Sequence, residues 1–217
     1  MKRLQLKCKP LDNLLGGGIE SNTIIEVYGE AGSGKTNLCL QASRECADIN
    51  KKVAYIDSGR VSIERLRQIC EDYDYEKIFS NIIFFNPSSF DEQEKMIHNT
   101  EKINKIGMIV VDTFNMFYLT KLEEDEESAN RILNRQLTNL QLFARKKDIY
   151  IIIAGQVYTS SNDDIKPFAG RGIEHMVKTI IKLEKIGNGK RQATIIKHPF
   201  QPKCKKAIFT ITAKGLE

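Results

Sequence analysis

The chain has 217 residues, 41% of them apolar and 28% charged. That balance gives enough apolar surface for one well-built core, and it excludes collagen-like, low-complexity and disordered polymers. A net charge of +5 permits a polyanionic partner without requiring one.

Residues 1–15 carry basic side chains but no apolar stretch of signal-peptide type, and no run approaches the length of a membrane span. A single domain over residues 1–217, in the cytoplasm and away from membranes, is therefore expected. Residues 23–28 (TIIEVY) read as a strand, followed by a Gly-rich turn and a helix from about Lys35. Residues 52–57 (KVAYID) form a second strand, 62–71 a helix, and 81–85 (NIIFF) a third strand. Ser89 and Glu92 have the spacing of a capping box, in which each side chain satisfies the other's backbone amide, so a helix should open there.

Residues 107–112 (GMIVVD) are continuously apolar up to the final acid, the pattern of a strand buried on both faces of a parallel sheet. From Ala129 onward, Ile132, Leu133, Leu137, Leu140, Phe143 and Ala144 recur at three- and four-residue intervals, one stripe of a long amphipathic helix. Residues 148–155 (DIYIIIAG) are another buried strand, and 177–183, 192–197 and 207–212 follow as strands with short connections. The fold class is α/β, with a mostly parallel central sheet flanked by helices and extended by antiparallel C-terminal strands.

The cysteines Cys8, Cys39, Cys46, Cys70 and Cys204 form no C-x-x-C pair and no metal-ligand spacing with the histidines. Such scattered thiols behave as small apolar side chains in a reducing compartment.

The motif that carries chemistry is Gly29-Glu30-Ala31-Gly32-Ser33-Gly34-Lys35-Thr36, a match to G-x-x-x-x-G-K-[ST] between a strand and a helix. Glycines let the backbone curl so that successive amides face phosphate, and the helix adds the positive end of its dipole. Lys35 is expected to bridge the β- and γ-phosphates of ATP, Thr36 to ligate Mg²⁺, and Asn37 to continue the nucleotide site. Asp112, delivered by its strand to the same sheet end, is the expected acid near the metal.

These pieces occur in an order that resembles the ATPase core of the RecA superfamily, in particular its archaeal recombinase paralogues. The resemblance spans nearly the whole chain. It rests on residues 11–19 (LDNLLGGGI), GEAGSGKT, Tyr55-Ile-Asp-Ser58 with Ile63-Glu-Arg-Leu66, Val110-Val-Asp-Thr113 and Gly155-Gln-Val157. It implies that Gln156 is a γ-phosphate sensor acting with Lys35 in catalysis, and that the segment after it contacts DNA. The chain opens directly on the core, so neither an N-terminal helical DNA-binding domain nor the aromatic-bearing linker of filament-forming relatives is expected. Active relatives also carry a glutamate after the second strand. Here the sequence reads Tyr55-Ile-Asp-Ser-Gly-Arg60, which implies ATP binding with very weak hydrolysis.

Residues 178–206 hold nine Lys or Arg against the single acid Glu184. Such a stripe suits phosphate contacts, and it equally suits a solvated strand face that resists edge-to-edge association. The resemblance favours DNA, single-stranded above all. The candidate contacts are Arg131, Lys166, Phe168, Arg171, Lys197, Lys203, Lys205 and Lys206. Against this, the segment after Asp112, which by resemblance is a first DNA-contacting loop, holds five consecutive acids, Glu123–Glu127, expected to turn away as the first turn of the following helix. By resemblance, the main recombinase and other repair or replication proteins are partners and homo-oligomers are possible. A signalling ATPase acting on protein partners and a strand-exchange recombinase are the alternatives.

Overall fold

The computed structural model describes residues 2–159, 165–167, 173 and 175–217; for 158, 159 and 165–167 it describes the backbone alone. In chain order the elements are β1 (Arg3–Leu4), α1 (Lys9–Leu14), β2 (Ile19–Glu20), β3 (Ile24–Gly29), α2 (Lys35–Asp48), β4 (Lys52–Asp57) and α3 (Ile63–Ile69). Next come α4 (Tyr75–Asn81), β5 (Ile82–Phe85), α5 (Phe90–Asn99), β6 (Ile106–Asp112), α6 (Met116–Glu124) and α7 (Glu126–Lys147). The chain ends with β7 (Tyr150–Thr159), β8 (Ile165–Pro167), β9 (Thr179–Gly187), β10 (Lys190–Lys197), β11 (Lys206–Thr212) and β12 (Gly215–Leu216).

The main sheet runs β12-β11-β10-β9-β3-β7-β6-β4-β5, with β8 paired to β7. From β9 to β5 all pairings are parallel, whereas β9 to β12 pair antiparallel. The continuous apolar runs have a direct physical reason. Ile25, Val27, Val110 and Ile152 face one layer with Leu38 and Leu40 of α2, while Ile24, Ile109, Val111 and Ile151 face the other with Leu133, Leu137 and Leu140 of α7. Each such side chain contributes roughly 1.5–3 kcal/mol by leaving water.

The long helix α7 is capped as its charges suggest. The Asp125 carboxylate accepts from the Ser128 amide at 3.0 Å, Glu126 and Glu127 occupy the first turn, and Arg145, Lys146 and Lys147 the last. The acidic run is thus split: Asp125 to Glu127 open α7, but Glu123 and Glu124 close α6, a helix where a DNA-contacting loop was expected. No Gly or Pro interrupts residues 113–154, so nothing in that stretch breaks a helix. The capping box is displaced as well. Ser89 accepts from the Glu92 amide at 3.2 Å, but the Glu92 carboxylate accepts from the Ser88 amide at 2.8 Å and the Ser88 hydroxyl at 2.7 Å.

Candidate nucleotide site

The parallel register aligns Gly29 with Gln156 on β7 and Asp57 with Asp112 on neighbouring β4 and β6. The C-terminal ends of four strands therefore meet at one edge of the sheet, where open α/β folds bind ligands. A cleft of about 280 Å³ opens there, lined by Lys35, Thr36, Asp57, Arg60, Asp112 and Gln156 among others. A groove of about 360 Å³ between α5 and α7, lined by Glu94, His98, Arg135 and Asn139, shares none of these residues.

The loop joining β3 to α2 is shaped by its glycines. A Cβ at Gly29 would lie 2.2 Å from the Leu183 carbonyl oxygen, and Gly34, which precedes α2, has φ +109°. Glu30, Ala31 and Gly32 lie exposed at the tip, and Asn37 is half-buried in the first turn of α2. The Ser33 hydroxyl is buried with no hydrogen-bond partner, an orphan that a ligand oxygen would satisfy. Lys35 Nζ donates to the carbonyl oxygens of Gly29 at 2.7 Å and Glu30 at 2.9 Å, and burial holds its pKa below the usual lysine range.

Asp112 is 3% exposed. It accepts hydrogen bonds from the Tyr55 hydroxyl at 2.9 Å and from the Thr36 side chain, yet burial raises its carboxyl above the usual range, with Asp57 adding to the effect. Its peptide bond to Thr113 is cis. Among the described residues, no group of three or more His, Cys, Asp or Glu is placed to hold a metal. A Mg²⁺ ion at Thr36, with Asp112 behind its shell of ligands, would draw the rest of that shell from phosphate and water, the ordinary pattern for that ion in nucleotide sites.

Gln156 is exposed at the cleft, and its backbone is fixed by a residue that sequence reasoning missed. The Asn115 side chain accepts from the Gln156 amide and donates to the Gln156 carbonyl, each at 3.0 Å. Arg65 was also missed as a link. Its guanidinium donates to the Asn37 side chain at 2.7 Å and to the Thr212 and Ala213 carbonyls at 2.8 and 3.1 Å, tying α2 and α3 to the C-terminal strands. The sequence signal is slight for both: Asn115 is a polar residue just past a motif, and Arg65 sits inside the segment 63–66 without any mark of its partners.

The basic tract divides between two ends of the sheet. Lys185 lies over Gly32, where an added Cβ would be 3.0 Å from its Nζ, and Arg191 Nε donates to the Gly32 carbonyl at 3.2 Å. Lys197 pairs with Ile180 at the far end of β9, so the connection that holds Lys203 and Lys205 lies away from Gln156. Lys205 Nζ donates to Gln201 Oε1 at 2.8 Å, whereas Lys203 and Lys206 are exposed. Arg131 is exposed on α7. Lys166 of β8 pairs through its backbone with Tyr158 of β7, its side chain lying outside what is described. Phe168 and Arg171 lie outside the described residues. Cys8, Cys39, Cys46 and Cys70 are buried and Cys204 is exposed, all as free thiols.

Comparison with known proteins gives a consistent result. A family model described as Rad51 matches residues 2–217. The DNA repair and recombination protein RadB of Methanococcoides burtonii is 43% identical, over 99% of this chain and 97% of its own. The RadB protein of Archaeoglobus fulgidus is 39% identical, over 96% of this chain and 95% of its own. A crystal structure of the RadB recombinase superposes with a TM-score of 0.87 at 36% identity, covering 99% of this chain and 98% of that one. No described helix is long and apolar enough to cross a membrane.

Proposed function

The chain belongs to the Rad51 family, and from that premise we propose that it is an ATP-binding accessory factor of DNA repair and homologous recombination. It binds DNA, modulates the main recombinase and uses ATP with Mg²⁺ as a switch more than as fuel. The observation that carries the ATP reading is the P-loop itself. A buried lysine and an orphaned serine hydroxyl line a glycine-shaped loop, with Thr36 and Asp112 hydrogen-bonded beside it. Slow turnover follows from the loop after β4, where Gly59 and Arg60 stand in place of the glutamate of active relatives. Losing a positioned general base typically costs on the order of 10²–10⁴ in rate.

The DNA reading is tested by titrating single-stranded DNA across a salt series, with and without ATP, using the wild type and a Lys203→Glu, Lys205→Glu, Lys206→Glu variant. If all three cations contact phosphate, affinity falls and the magnitude of the slope of log K against log salt drops by about two, at roughly 0.7 per contact. Unchanged binding by the variant would move the interface to the P-loop end of the sheet. A weak, salt-insensitive response of the wild type would instead favour an ATPase that signals through protein partners.

A further inference from the structure

We propose that Arg60 reads the terminal phosphate of the bound nucleotide, so that this chain distinguishes ATP from ADP through the very loop that lacks the glutamate. The inference rests on the ATP-binding reading above. Gly59, Arg60, Val61 and Ser62 line the same cleft as the P-loop residues Lys35 and Thr36, and the backbone around them is held at several points. The Asp57 carboxylate accepts from the Gly59 amide at 3.0 Å and the Val61 amide at 2.6 Å, bracketing Arg60 on both sides. The Ser58 hydroxyl bonds both the amide and the carbonyl of Thr113, each at 2.8 Å, which ties the loop to the end of β6. On the far side Ser62 caps α3 through the Arg65 amide.

Within this frame Arg60 has φ +59°, a left-handed conformation that glycine or asparagine adopts more readily than a long side chain. The fold therefore holds an unfavourable residue in an imposed geometry, as functional loops often do. Arg60 is exposed and lines the cleft, and its guanidinium makes no hydrogen bond or ion pair with any described residue. The nearby acids are already engaged, Asp57 with the loop amides and Asp112 with Tyr55 and Thr36.

A planar guanidinium with free N–H donors, on a residue that lines the same cleft as the phosphate loop, is suited to paired hydrogen bonds with phosphate oxygens. The P-loop amides and Lys35 serve the phosphates held in the loop. A further cation in the same cleft adds affinity for the phosphate that projects beyond them, which ADP lacks. Arginine cannot act as a base at neutral pH, so the same contact holds ATP without activating water.

Titration calorimetry with Mg–ATP and Mg–ADP tests this on wild type, Arg60→Ala, Arg60→Gly, Arg60→Lys and Lys35→Ala. The expected result is an approximately tenfold loss of ATP affinity in Arg60→Ala and Arg60→Gly with little change for ADP, and partial retention in Arg60→Lys. Arg60→Gly keeps or raises the melting temperature, since it relieves the left-handed backbone, so the loss does not reflect misfolding. An ATP-to-ADP affinity ratio equal to wild type in Arg60→Ala, including an equal fall for both nucleotides, overturns the assignment while leaving ATP binding intact. A wild type with no Lys35-dependent ATP binding overturns both readings together.

Discussion

Lys35 and Asp112 are charged groups that the fold keeps from water, and burial disfavours the charged form of each. On the proposed reading, each gains from a counter-charge brought by ligand: phosphate for the ammonium, Mg²⁺ near the carboxylate. For Asp112 the sign is clear. A carboxyl raised in the folded state takes up protons more readily than in the unfolded chain, so its ionisation costs stability as pH rises through the folded value. Asp112→Asn removes that cost. It should raise the melting temperature of the nucleotide-free protein and abolish the enhancement of ATP binding by Mg²⁺, both readable by thermal denaturation with and without Mg–ATP. An unchanged Mg²⁺ dependence would remove Asp112 from the metal site. At this scale the P-loop was legible because its eight residues are contiguous and each has one local task. Asn115 and Arg65 were not, because their partners Gln156 and Thr212 are distant in sequence and only the tertiary fold brings them together.

Among the elements, α7 shows burial and local helix preference acting together. Its stripe packs against β3, β6 and β7, with Leu137 and Leu140 fully buried. Replacing Leu137 with Ala should cost about 2–5 kcal/mol, measured by urea unfolding, because the surrounding layer cannot collapse fully onto the space left. A cost below about 1 kcal/mol would mean that the stripe is not the packed face. The buried strands and α7 were readable because hydrophobic period and length agree. The helices α1, α4 and α6 were not. The first two are short, at six and seven residues, which gives periodicity little to work with. The third was obscured by the expectation of a loop after Asp112, although its residues contain no breaker. One buried link between α5 and α7 was equally hidden. It is a buried hydrogen bond of 2.9 Å between Gln93 and Gln136, two glutamines that composition alone marks as surface.

At the scale of the whole molecule, the sheet sorts chemistry to its two ends. The ends of β3, β4, β6 and β7 gather the phosphate loop, both aspartates and Gln156, while the connection between β10 and β11 carries Lys203 and Lys205 to the other side. On the ATP-binding reading proposed above, a complete phosphate loop beside a glycine and an arginine at the water-activating position holds ATP longer than it consumes it. The direct measurement is ATP affinity and ATP turnover side by side, with and without single-stranded DNA, using Lys35→Ala as the control. Lys35-dependent binding with turnover lower by roughly 10²–10⁴ than that of glutamate-bearing relatives is the expected result. Brisk, DNA-stimulated turnover would contradict it, and would mean that another carboxylate supplies the missing base.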